Sequence, residues 1–262
     1  MITDVFSVEQ LRLLSSHPHL IGHLVGKDKL TDLHSEWIKA VWLPQAHTAL
    51  QAHRGGYKTT AVTEIGIIWR LLFHPNTRIA LIRETWTESN STLKTIAQYM
   101  QTELIAELFR AMHGAYPRMT TQRDGRLTFN FKASITKEGS VDAYGVDTVP
   151  TGSHYDDIIT DDVVTIKDRF SQSKRERTKA NLQEIMTNIL DPGKFLRSVG
   201  TPWHKDDAHQ VLPEPLKYDC YSTGILSAAQ IEEKKKTTTP VMFAANYELN
   251  HINDSDALRR DP

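Results

Sequence analysis

Residues 49–60 read Ala49-Leu50-Gln51-Ala52-His53-Arg54-Gly55-Gly56-Tyr57-Lys58-Thr59-Thr60, a short apolar run followed by paired glycines and Lys-Thr, and residues 61–73 behind it have a helical pattern. Strand, tight glycine turn and helix start constrain this chain more than any other stretch. That order presents backbone N–H groups and the positive end of a helix to phosphate. Lys58 is then placed to reach phosphate oxygens and the Thr59 hydroxyl to ligate Mg²⁺, with His53, Arg54, Gly55, Gly56, Tyr57 and Thr60 completing the candidate cradle. The general pattern is G-x-x-x-x-G-K-[ST], and Ala52 and Tyr57 stand where its outer glycines fall. Glycine there permits positive φ or close approach, so a bulky Tyr57 predicts a differently shaped loop. The plain alternative is a Gly-Gly turn into an ordinary helix, with Lys58 solvated.

A second stretch bears on that choice. Tyr155-Asp156-Asp157-Ile158-Ile159-Thr160-Asp161-Asp162 reads as a strand ending in two adjacent acids, which places carboxylates at the C-terminal edge of a sheet. Ligands of open α/β folds bind at that edge. In phosphoryl-transfer sites one acid orients the metal and its waters and another polarises the attacking water. Asp161 is assigned to the metal and Asp162 to the water; a helix cap is the alternative for such a pair. Residues 195–200 read as a further strand running into Thr201, whose hydroxyl is placed either to sense a γ-phosphate or to cap the helix that follows.

Short β-branched runs at residues 77–83, 127–131, 141–146 and 218–223 predict more strands. Helical spacing covers residues 8–15, 31–42, 89–112, 167–189, 227–236 and 241–249. Strand and helix alternating at these lengths predict an α/β fold with a mainly parallel central sheet flanked by helices. His34, Trp37 and Gln45, ahead of the glycine turn, are placed to wall an adenine or to pack the core. Arg169, Lys174, Arg175, Arg177 and Lys179 crowd one helix, which is either a solvated face or a basic edge for DNA phosphates or a neighbouring subunit's nucleotide. With 31 basic against 32 acidic residues, the chain lacks the overall basic excess of a self-sufficient DNA binder. The single cysteine, Cys220, excludes an internal disulfide framework or a cysteine-based zinc cluster. The absence of a signal-like N-terminus, or of an apolar run of about 18 residues, points away from secretion and membranes.

Four segments together resemble the large subunit of tailed-bacteriophage DNA-packaging terminases: residues 52–60, the lead at Gly145 and Thr151-Gly152 into residues 157–162, the helix at residues 173–177, and Val199-Gly200-Thr201-Pro202-Trp203-His204-Lys205-Asp206-Asp207. The last is the most specific, since Gly-Thr-x-Trp-His-x-Asp-Asp is similar to that family's ATPase coupling motif. The resemblance implies a RecA-like P-loop NTPase of the additional-strand type. It implies ATP and Mg²⁺ as cofactors, Arg54 as a γ-phosphate-sensing arginine and Thr201 as the link from hydrolysis to movement. It further implies a homo-oligomeric ring threading double-stranded DNA into a procapsid in the host cytoplasm, with the portal protein and a small terminase subunit as partners and no membrane. Residues 1–30 are then a lead segment, residues 31–240 the ATPase domain, and residues 241–262 a helix and linker toward a nuclease domain that this chain is expected to lack.

Two departures narrow the expectation. Asp162 stands where the family has Glu, one methylene longer. Ser153 and His154 stand where some members carry an arginine that reaches a neighbouring subunit, leaving Arg83, Arg126 and Arg169 as candidates. A nucleotide-binding assembly module with little hydrolysis and a helicase-like translocase are the alternative readings.

Overall fold

A computed structural model describes residues 5–251. Helix α1 (Val8–Ser16), capped reciprocally by Ser7 and Gln10, and the single turn α2 (His19–His23) lead into α3 (Asp32–Trp42). Strand β1 (Thr48–Ala52) then runs through the glycine turn into a helix wound as π helix over Thr59–Ile65 and as α4 over Gly66–Phe73. Next come β2 (Ile79–Arg83), α5 (Trp86–Met100), α6 (Glu103–His113), β3 (Met119–Arg123), β4 (Arg126–Phe129), β5 (Val141–Gly145) and β6 (Tyr155–Asp161). The chain continues as α7 (Ile166–Phe170), α8 (Gln172–Glu184), a π turn at Ile185–Ile189, β7 (Leu190–Gly200), β8 (Leu216–Tyr218), α9 (Ala228–Thr237) and α10 (Pro240–Asn246).

The eight strands form one sheet in the order β3-β4-β5-β2-β6-β7-β1-β8. All neighbouring pairs from β5 across to β8 are parallel, and only β3 and β4 join antiparallel at one edge. Strand β7 lies between β1, which carries the glycine turn, and β6, which carries the acids; this inserted strand is what makes the fold the additional-strand type. Along the central strands, which are buried on both faces, side chains alternate between two layers with the pleat. Ile79 and Leu81 of β2 and Ile159 of β6 join a core with Trp37, Leu50, Ile67 and Phe109. Ala80, Ile82 and Ile158 face the other layer, against Leu182, Ile185 and Trp203. Leu14, Ile21 and Leu30 of the lead segment belong to the first core.

The π winding has a local cause. In an α-helix the Gly66 N–H would bond the Val62 carbonyl, but the Trp42 indole N–H donates to that carbonyl at 2.8 Å. Gly66 N–H turns instead to the carbonyls of Ala61 and Thr63. A Cβ on Gly66 would lie 2.3 Å from Trp42 Nε1, so only glycine admits the indole here.

Several boundaries differ from the sequence expectation. The predicted helix 89–112 starts earlier, at the Thr85–Glu88 capping box, and breaks at Thr102, whose extended backbone (ψ 145) opens α6. The predicted helix 167–189 breaks at Ser171, which leaves helical geometry to cap Lys174 N–H at 3.1 Å. The predicted strand 218–223 ends at Tyr218, because the Asp219 carboxylate accepts from the N–H of Tyr221 (2.9 Å) and Ser222 (2.8 Å) and closes a turn. The expected C-terminal linker beyond residue 251 lies outside the described residues. Among the described residues no helix is long and apolar enough to cross a membrane.

Candidate functional site

Parallel register decides which side chains meet. Gln51 pairs with Gly200 across β1 and β7, and Asp161 pairs with Val199 across β6 and β7. The glycine turn, the two acids and Thr201 therefore leave the sheet side by side at its C-terminal edge, where open α/β folds bind ligands. Arg54, Lys58, Asp162 and Thr201 line one cavity of about 270 Å³, together with Arg83 and Glu88. A second cavity of about 230 Å³ is lined by His53, Gly55, Gly56, Tyr57, Lys58, Thr59 and Thr60.

The turn is held from behind and from both flanks. His53 N–H donates to the Tyr218 carbonyl at 3.0 Å and Arg54 N–H to the Asn246 carbonyl at 2.7 Å. The His53 ring donates from Nδ1 to the Arg54 carbonyl (3.0 Å) and accepts at Nε2 from Thr223 (2.9 Å). His34 Nε2–H donates to the Gly56 carbonyl at 3.1 Å, while its Nδ1 accepts from Thr31 N–H at 2.9 Å. His34 and Trp37 are fully buried, so they brace the turn and present no face to a ligand; Gln45 is exposed.

Tyr57 takes up its place in the turn at a backbone angle where glycine is at ease. It adopts φ 58, the left-handed conformation that a glycine before the lysine would take, beside Gly55 at φ 87. A bulky side chain there stores strain of about 1–3 kcal/mol, and such strain gathers at ligand sites. Asp162 is the other non-glycine residue at the site with positive φ, at 48.

The charges pair closely. Thr59 Oγ1 donates to Asp161 Oδ1 at 3.1 Å, and Lys58 Nζ lies 3.2 Å from Asp162 Oδ2. Asp161 is fully buried; burial first, then the charge of Asp162, pushes its carboxyl above the usual carboxylate range against the pull of Arg83 and Lys58. Its Oδ2 has no hydrogen-bond partner, and Arg83 Nε stands 3.8 Å away. An orphaned carboxylate oxygen beside a threonine hydroxyl fits a small divalent cation, which takes hard oxygen donors and completes its shell with water and phosphate. Among the described residues, no group of three or more His, Cys, Asp or Glu side chains is gathered to hold a metal by itself.

Thr201 is buried at the end of β7 and caps no helix; Asp207 caps the short turn Ala208–Val211 instead. Asp207 accepts from the N–H groups of Trp203 and His204 at 3.0 Å each and from His209 N–H and Nδ1 at 2.9 Å each. These bonds hold its carboxyl far below the usual range against its own burial, and tie residues 203–209 into one turn. Glu88 of this cavity escaped the sequence reading, and Arg83, expected among the arginines that reach a neighbouring subunit, lines the cavity of its own chain. Glu88 comes from the first turn of α5, and Arg83 from the end of β2; the only sequence signal for Glu88 was its capping box with Thr85. Of the three candidate arginines, Arg126 is committed to Asp142 through two of its nitrogens. Arg83 faces this chain's own acids, and Arg169 lies over the Phe170 ring at 5.0 Å. The basic helix is partly internal: Arg175 is buried against the Asp168 carbonyl, and Lys174 pairs with Glu84 at 2.8 Å.

No family model and no curated protein sequence matches the chain. Solved structures match it in fold. The large terminase of a thermophilic bacteriophage aligns over 84% of this chain and 51% of its own length, at 11% identity and a TM-score of 0.52. The ATPase domain of the Thermus phage P74-26 large terminase, in a mutant form, aligns over 94% of this chain and 99% of that domain, at 12% identity and a TM-score of 0.56. The chain has the fold of phage large-terminase ATPase domains. It spans about half the length of the first of these terminases and nearly all of the P74-26 domain. That first terminase, in complex with ATP-gamma-S, matches the same fold with a TM-score of 0.50 at 12% identity.

Proposed function

We propose that this chain is an ATP-hydrolysing motor domain that moves double-stranded viral DNA into a procapsid. The observation that carries the reading is the register of β1, β7 and β6, which brings the glycine turn, the two acids and Thr201 to one end of the sheet, with Lys58, Asp162 and Thr201 lining one cavity. Lys58 binds the phosphates of ATP together with the first-turn amides of the following helix, which have no intrahelical acceptor to compete. Thr59 and Asp161 would hold Mg²⁺, which when bound neutralises phosphate charge. Asp162 orients the attacking water, Arg54 meets charge on the γ-phosphate, and Thr201 relays the state of that phosphate to the turn that Asp207 ties together. The DNA-packaging part of the reading follows the terminase resemblance of the sequence: in it the chain works in a ring of copies on the portal protein, with a small terminase subunit as partner, in the host cytoplasm at the procapsid.

Phosphate release, measured with duplex DNA titrated in at fixed salt, tests it. Turnover that rises with duplex supports the motor, and no turnover on any nucleic acid sinks it. One observation favours a second reading, an assembly module that binds nucleotide and hydrolyses little. Asp162 is shorter than glutamate and its carboxylate is engaged by Lys58 at 3.2 Å. Tight ATP binding without turnover would select that reading. Turnover stimulated only by single strands would instead indicate a helicase-like translocase.

A further inference from the structure

The Tyr57 ring stands between two cavities. On one side is the phosphate-turn cavity; on the other is a cavity of about 340 Å³ whose walls include Gly26, Lys27, Asp28 and Leu30 of the lead segment, with Tyr57 and Thr60 shared by both. A volume of this size sits at the lower end of the ~300–1,000 Å³ typical of small-molecule pockets. The lead-segment wall is built, not loose. Leu30 is buried, its carbonyl accepts from His23 Nε2 at 2.8 Å, and Lys27 N–H donates to the Gly22 carbonyl at 2.9 Å. Gly26, at φ 75, turns the chain with open space where a Cβ would point.

Direction follows from the chain. Lys58 lines the cavity that holds Asp162, while Thr60, two residues on, opens toward the lead segment. A nucleotide whose terminal phosphate lies by Lys58 and Asp162 therefore carries its other end past Thr60 and Tyr57. That end is a ribose and a planar base, and a phenol ring more than a third exposed (36%) is a surface on which a base stacks.

We infer that Tyr57 and the Gly26–Leu30 turn form the seat for the nucleoside of the bound triphosphate, so that one residue serves both as the left-handed hinge of the phosphate turn and as the wall for the base. The inference rests on the nucleotide reading of the same turn. It accounts for a tyrosine where the turn geometry favours glycine: the ring does something glycine cannot. It also relocates the base from the His34 and Trp37 wall expected from sequence, both of which are buried.

The test compares ATP with inorganic tripolyphosphate, each with Mg²⁺, by calorimetry on the whole chain and on Tyr57→Gly and Tyr57→Phe. Glycine suits φ 58, so the turn keeps its shape while losing the ring. The expected result is an ATP affinity lowered about tenfold in Tyr57→Gly, tripolyphosphate affinity unchanged or raised, and the wild-type ratio restored in Tyr57→Phe. A ratio of the two affinities that is the same in Tyr57→Gly as in wild type overturns the inference and leaves the phosphate site standing. Failure of the wild-type chain to bind either ligand overturns the phosphate reading itself, and this inference with it.

Discussion

Lys58 Nζ stands 3.2 Å from Asp162 Oδ2, so the cation assigned to phosphate and the acid assigned to water hold each other across the crevice. On the proposed reading, a triphosphate arriving at the turn competes for Lys58 and frees the Asp162 carboxylate. Lys58→Ala removes the charge proposed to bind phosphate and stabilise it in transfer. We expect phosphate release to fall by about 10²-fold or more, the scale for losing one preorganised charge-stabilising group. A turnover equal to the parent's would show the assignment to be wrong.

Asp162 and Glu88 line the same cavity, so the water has two candidate carboxylates. Asp162→Asn keeps the size and tolerates positive φ, and should lower kcat by about 10²–10⁴-fold with ATP affinity within a few-fold. Glu88→Gln should lower it by less than about tenfold, since Gln at that position still caps α5. A reversed order of the two effects would transfer the role to Glu88.

Gly66→Ala tests the wedge of Trp42 beneath the turn. The added Cβ, 2.3 Å from the indole nitrogen, must displace a fully buried tryptophan. Overpacking of this kind costs about 1–3 kcal/mol, read as a lower urea midpoint with unchanged slope. An unchanged midpoint would mean that the indole moves freely.

Stability should also depend on pH through His34 and His53. Burial lowers both pKa values below the ordinary 6.5, and each ring already has one nitrogen accepting a hydrogen bond and one donating. Above about pH 6.5 both folded and unfolded states are neutral and the stability is fully present. As pH falls below that, the unfolded chain takes up protons that the folded chain resists, and each histidine removes up to about 1.4 kcal/mol per pH unit. Urea titrations from pH 7.5 down to about 5 should show the decline, and His34→Gln should flatten it. An identical slope in the variant would exclude His34.

The parts of this site that sit on one continuous pattern were legible in the sequence. Lys58 and Thr59 follow a glycine turn, Asp161 and Asp162 end an apolar run, and Thr201 ends another; strand-end chemistry shows in local composition. What was not legible depends on packing at a distance. Glu88 reaches the cavity because α5 starts three residues earlier than its apolar periodicity suggests, through the Thr85 cap. The break at Thr102 has neither Gly nor Pro to announce it, and Ser171 interrupts a run of good helix formers by taking an extended backbone. Strand β3, with its polar edge pattern, offers no hydrophobic run and is defined by its pairing with β4. Burial of His34 and Trp37 follows from where α3 lies under the turn, which residue type alone does not say.

Tyr57 and Asp162 both hold side chains at backbone angles that favour glycine or asparagine. A selection for thermal stability alone should therefore drift toward glycine at position 57 and asparagine or glycine at position 162, raising the melting temperature while discarding what each side chain does. Sequences kept under selection for turnover should resist that drift at both positions, so the two outcomes of a parallel selection would separate folding from work.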